Sequence, residues 1–125
     1  MLGYYSTASR ETRAGSFREA MLLGQGSDGG LFVPDRVPAL DVAPLGQASF
    51  VERATAALVT WLAGELAPEV VAALCTSSFD FPVPVVPLDR ETSLVELFHG
   101  PTAAFKDFGA RFLARALEAL HEPGT

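Results

Sequence analysis

The chain has one lysine, Lys106, one cysteine, Cys75, and no asparagine. A lone cysteine excludes an internal disulfide framework and a zinc cluster, and no metal site is expected. Without asparagine there is no N-glycosylation acceptor. The stretch from Met1 to Arg13 is polar and has no apolar h-region, so no signal peptide is evident. The most apolar window, Ala54 to Cys75, is interrupted by Glu65, Pro68 and Glu69 and cannot form a membrane span. Positive charge is scarce: nine basic residues stand against 15 acidic ones, a formal charge of -6. That balance provides no basic patch for phosphate contacts and argues against nucleic acid as a partner. A cytoplasmic protein is the default expectation.

What is present points to a globular chain. Hydrophobic residues make up 49% of the 125 and charged residues 19%, a composition that folds. The length suits one domain, or one compact unit followed by part of another. Short strands alternate with helices. Leu2 to Thr7 reads as a strand. Ser16-Phe17-Arg18-Glu19 fits a capping box opening a first helix, and Leu31-Phe32-Val33 is a short strand closed by Pro34. A second capping box, Ser49-Phe50-Val51-Glu52, opens a helix with Phe50, Ala54, Ala57, Leu58, Trp61 and Leu62 on one face. Pro68 suits the first position of a third helix, with Val70, Val71, Ala73 and Leu74 on its apolar side. Phe81 to Pro87 holds three prolines in seven residues, which marks an extended or sheet-edge segment, and a boundary is placed near Pro82. Thr92 to Phe98 reads as a strand, His99 to Thr102 as a tight loop and Ala103 to His121 as a helix stopped by Pro123-Gly124. The expected class is α/β, with helices on a small mixed sheet.

Gly24-Gln25-Gly26-Ser27-Asp28-Gly29 matches the dinucleotide pattern G-x-G-x-x-G by letter. In such a site the glycines follow a strand and open a helix, so that helix amides meet the phosphates. Here a helix leads in and a strand follows. The glycines are therefore expected to end the helix and make a turn. Ser77-Ser78 near Asp80 is no catalytic triad, because no histidine is near and no nucleophile elbow is present.

The last helix carries the unusual residue. With Phe105 at zero on a wheel of about 100° per residue, Asp107, Arg111, Arg115 and Glu118 fall between roughly 200° and 280°. That arc reads as the solvated face, with Asp107 and Arg111 as an i,i+4 pair. Phe108, Gly109, Phe112, Leu113, Ala116, Leu117 and Leu120 take the opposite arc. Lys106 falls at about 100°, inside the apolar arc between Leu113 and Leu117. With Thr102 as N-cap, Lys106 ends the first turn, where the helix dipole disfavours a cation. Desolvation against Phe105, Leu113 and Leu117 would add to that and favour the neutral, nucleophilic amine that forms Schiff bases. The competing possibility is a snorkelling lysine whose ammonium reaches water.

The segment Leu94-Val95-Glu96-Leu97-Phe98-His99-Gly100-Pro101-Thr102-Ala103-Ala104-Phe105-Lys106-Asp107-Phe108-Gly109 resembles the lysine segment of threonine synthase, a fold-type II enzyme that uses pyridoxal 5'-phosphate (PLP). Tyr4-Tyr5-Ser6-Thr7, Phe17-Arg18-Glu19-Ala20, Ser27 to Pro34 and Phe81 to Val85 are similar, in order, to the family's opening strand, first helix, next strand and linker. Ala103 stands where the family usually has leucine, and Ala8 where an arginine often follows Thr7. The resemblance implies residues 1–82 as the N-terminal domain and 83–125 as the beginning of the PLP domain. It implies a lyase of threonine biosynthesis that converts O-phospho-L-homoserine and water into L-threonine and phosphate. Lys106 would be the Schiff-base lysine and proton carrier. Phe105 would border the cofactor or, more in keeping with its place at the centre of the apolar arc, pack in the core. His99 is expected to hydrogen-bond within its loop, with a catalytic role as the competing possibility. The PLP-phosphate loop of this family would follow Thr125, so the chain is expected to be an N-terminal portion that is inactive alone and that self-associates through an exposed sheet edge. Two alternatives are another fold-type II lyase, such as a threonine or serine dehydratase, and a non-catalytic interaction module. The long region before Pro82 speaks against the dehydratase.

Overall fold

The computed structural model describes residues 1–121. Strands β1 (Tyr4–Ser6), β2 (Arg13–Ala14) and β3 (Phe32–Pro34) form one sheet in the order β2-β1-β3, and β4 (Val85–Pro87) pairs with β5 (Ser93–Val95) in a separate ribbon. Helices α1 (Phe17–Leu23), α2 (Phe50–Trp61), α3 (Pro68–Ser78) and α4 (Lys106–Leu120) complete the α/β arrangement. Every pairing described is antiparallel, where a mixed sheet is expected from sequence. The strands are short and joined by local connections, which is the geometry antiparallel pairing allows.

Strand β1 alternates as its length-two period requires: Tyr4 and Ser6 are buried and Tyr5 is half-buried. Leu2, Tyr4, Ala14 and Ala20 form one core cluster, with Phe17, Phe32 and Trp61 against it. A second cluster, Leu62, Val71, Cys75 and Phe79, gathers α2, α3 and α4 and also touches Phe17 and Trp61. Those two aromatic side chains therefore join the sheet side of the molecule to the helical side.

The caps show what local sequence can specify. At α2 the capping box is complete: Ser49 Oγ accepts from the Glu52 amide and Glu52 accepts from the Ser49 amide. At α1, Ser16 Oγ accepts from the Glu19 amide, but the Glu19 carboxylate takes the amide of Gly15 instead of Ser16. The N-terminal amides of Phe17 and Arg18 are held instead by the two carboxylate oxygens of Glu65, both at 2.8 Å. Pro68 occupies the first turn of α3, as expected. The buried face of that helix is Val71, Leu74, Cys75 and Ser78, an i, i+3, i+4, i+7 set. Val70 and Ala73, assigned from sequence to the apolar side, lie toward solvent.

The glycine-rich segment is a turn. Gly24 ends α1 with φ 68° and donates its amide to Ala20 O. Gly26 and Gly29 then close a tight turn, and Asp28 Oδ1 accepts from Ser6 Oγ at 2.7 Å and from the Gly30 amide at 3.0 Å. Gly30 packs so closely on β1 that an added Cβ would collide with Ser6 Oγ and the Ala8 amide nitrogen. The segment pins β3 to β1, and no helix follows it to meet a phosphate.

Candidate active site

Helix α4 begins at Lys106, three residues later than the sequence-based N-cap implies. Phe105 stands at the N-cap and supplies no side-chain cap. Thr102 lies in the preceding loop and donates twice to Asp107: its amide to Oδ2 at 2.9 Å and its hydroxyl to Oδ1 at 2.7 Å. Thr102 is thus a donor to a helix side chain and not the helix cap. Within the loop, Ala103 adopts φ 56° and donates its amide to Gly100 O at 3.0 Å. Gly100 has no room for a side chain, because a Cβ there would run into the Asp107 carboxylate.

Asp107 is 5% exposed, against the solvated position expected from the wheel. Arg111 does not pair with it directly. Its guanidinium donates to Ser78 O at 2.8 Å, to Ser77 O at 3.2 Å and to Asp80 at 2.6 Å, capping the end of α3. The supposed solvated face is thus partly the docking face, because these charges satisfy polar ends of neighbouring elements. Burial pushes the Asp107 carboxyl up, but the Thr102 hydroxyl and amide, the Ala104 amide and nearby Arg111 outweigh it and hold its pKa below the ordinary range. Ser77 donates to Leu74 O and Ser78 Oγ is buried, so neither serine is arranged as a nucleophile.

The arc expected to be buried is open over one part, around Lys106, Gly109 and Leu113, while Phe108, Phe112, Ala116 and Leu120 turn inward as expected. Phe105 is 66% exposed and Leu113 45%, and Lys106 and Gly109 are exposed beside them. The core placement of Phe105 is therefore overturned, and the described residues do not supply the desolvation expected at Lys106. Besides Asp107, α4 buries Ala116 and Leu120, with Phe108 and Phe112 packed on the core. The rings of Phe50, Phe79, Phe81, Phe108 and Phe112 lie in a chain of contacts with centroids 5.0 to 6.2 Å apart. They seat α4 on α2, α3 and the proline-rich segment. His99 Nε2 meets Glu96 Oε2 at 2.5 Å, a contact within its own loop.

The result is a lysine amine presented on the open side of a helix start, beside an exposed aromatic ring, with the loop before it held from inside. An accessible primary amine next to an aromatic face fits the aldehyde and ring of a pyridoxal cofactor. The first-turn amides of Asp107 and Phe108 donate to Ala104 O and Phe105 O, so this helix start is not arranged as a phosphate cradle. Among the described residues there is no cluster of three metal-ligating side chains, and no helix is long and apolar enough to cross a membrane.

An α/β segment carrying this lysine helix has close counterparts. Residues 3–79 match the family described as threonine synthase N terminus, and the chain belongs to the threonine synthase family. It is 40% identical over 110 residues to the threonine synthase of Haemophilus influenzae, covering 87% of this chain and 26% of that protein. To the Escherichia coli enzyme it is 36% identical over 105 residues, 82% of this chain and 24% of that protein. The crystal structure of PLP-bound threonine synthase from Brucella melitensis superimposes with a TM-score of 0.88 at 32% identity, over 96% of this chain and 27% of that one. The chain thus spans about a quarter of the length of the curated relatives it matches.

Proposed function

We propose that this chain forms the N-terminal part of a cytoplasmic threonine synthase that converts O-phospho-L-homoserine and water into L-threonine and phosphate. In this proposal Lys106 is the amine that carries PLP. The observation that carries it is the exposed placement of the chain's single lysine at the start of α4, on the same open arc as Phe105 and Leu113. Residues 1–82 are the N-terminal domain and 83–125 begin the catalytic domain, with the cofactor's phosphate held by residues outside this segment.

PLP, when bound, supplies an electron sink for the substrate carbons attached to it. Lys106 holds the cofactor before substrate arrives and, once free, takes and returns protons at the α and β carbons. Phe105, exposed and adjacent, offers a flat apolar face to the cofactor ring. Packing of further chain over the open arc of α4 would exclude water from the reacting groups.

The test is Lys106→Ala in the complete enzyme, assayed for phosphate release from O-phospho-L-homoserine. Loss of at least about a thousandfold is expected for removal of a group that carries the chemistry. Turnover that survives the substitution removes Lys106 from its role. Ammonia released from threonine or serine, in place of phosphate, would assign the site to a dehydratase.

A further inference from the structure

We propose, resting on the role of Lys106 given above, that Asp107 and Thr102 form a latch that positions the lysine. Three features converge on the stretch from Gly100 to Asp107 that brackets Lys106. Asp107 is buried although the residues on either side of it in the first turn face solvent or lie half-buried, and both its oxygens are taken by one residue, Thr102. Ala103, inside the ring so closed, sits at φ 56°, a left-handed conformation that is strained for an L-residue. Gly100 leaves the space that the Asp107 carboxylate fills.

None of these features is needed to start a helix. A side chain at the N-cap would suffice, and Phe105 provides none. Asp107 reaches back past the N-cap to the loop, five residues away, and its two hydrogen bonds fix Thr102 against the first turn of α4. Lys106 lies between the two fixed points. Its backbone can neither slide with the loop nor fray with the helix end, so the four-carbon stem starts from one place. Strain at Ala103 persists only because the surroundings over-determine it, and such strain gathers where geometry matters to function. Asp107 is thus a positioning residue: it touches Thr102 and holds the origin of the lysine side chain.

Two measurements test this. In the 125-residue chain without cofactor, amide exchange by NMR reads the latch directly. The Thr102 amide is expected to be protected, and Asp107→Asn to speed its exchange about tenfold or more while the amides of β1 keep their protection. In the complete PLP-loaded enzyme, Thr102→Val removes one donor with little change of shape. It is expected to lower kcat about tenfold or more with KM within about twofold, since small misplacement of a reacting group is expensive in rate. Thr102→Ser, which keeps both donors, is expected to restore kcat to within about twofold. A Thr102 amide that exchanges as a free one, or a Thr102→Val enzyme with unchanged kcat, overturns the latch. If Asp107→Asn also strips protection from β1, Thr102→Val with its serine rescue decides the matter. Survival of turnover in Lys106→Ala would instead defeat the role of Lys106, and the exchange experiment would still report on the latch.

Discussion

Arg18 donates its Nε–H to the carbonyl oxygen of Leu120 at 2.9 Å, tying the start of α1 to the last turn of α4 across 102 residues. The carbonyl is one of those a helix leaves without an internal partner. A cation at that end also complements the helix dipole. Replacing Arg18 with methionine keeps much of the stem and removes the donor. The expected loss is about 1 kcal/mol in urea unfolding, the low side for a charged donor because the side chain is half-exposed. An unchanged midpoint would show that the contact adds nothing.

Glu65 holds the other side of the same junction. Its carboxylate accepts from the Phe17 and Arg18 amides, and α1, with seven residues, is too short to persist without such support. Glu65→Ala is expected to destabilise the chain by about 1–2 kcal/mol, as for loss of a strong N-terminal cap. Glu65→Gln retains one acceptor and is expected to fall between. Equal stability of all three proteins would contradict the capping role.

Ser78 carries the opposite expectation. Its hydroxyl is buried without a hydrogen-bond partner among the described residues, while its carbonyl is engaged by Arg111. Removing an unsatisfied buried hydroxyl relieves a desolvation penalty, so Ser78→Ala is expected to raise stability by about 1 kcal/mol. Thermal melting checks the sign. A fall in melting temperature would reveal a partner for the hydroxyl.

Acid dependence follows from Asp107. Its folded-state pKa lies below the ordinary 3.8 because hydrogen bonds from Thr102 and Ala104, with Arg111 nearby, outweigh its burial. A depressed carboxylate contributes its full stabilisation above the unfolded value and loses it as pH falls through the folded value. Melting temperature is therefore expected to drop as pH is lowered from about 5 toward 2, and Asp107→Asn to make that drop shallower. The slope does not vanish, because Asp28, Glu52 and Asp89 are also held below their ordinary range by hydrogen bonds. A slope identical in both proteins would mean that Asp107 does not titrate through its contacts.

Features set by neighbouring residues were legible in the sequence. The Ser49–Glu52 box, Pro68 at a helix start and the glycine turn after α1 each depend on a few adjacent positions, and the structure contains all three. Strand β2, two residues at Arg13–Ala14, has too little pattern to stand out. The misjudged parts concern α4. A helical wheel sorts residues by polarity, and so placed Asp107 and Arg111 in water. It cannot register that the loop at Thr102 and the end of α3 need charged partners inside the fold. For the same reason it put Phe105 in the core, when Phe105, Lys106, Gly109 and Leu113 are left open. A threonine in the loop with an aspartate five residues on is the signal that was available for the latch.

The Arg18–Leu120 bond also bears on the order of events during folding. Joining residues so distant in sequence requires closing a very long loop, and such contacts form after the local ones that bring them within reach. The capped helices and the β1–β3 pairing can therefore consolidate while the docking face of α1 still awaits α4. For a chain emerging from the ribosome, that interval leaves Phe17 and Trp61 without part of their final cover, and makes the arrival of α4 the step that ends their exposure to unwanted partners.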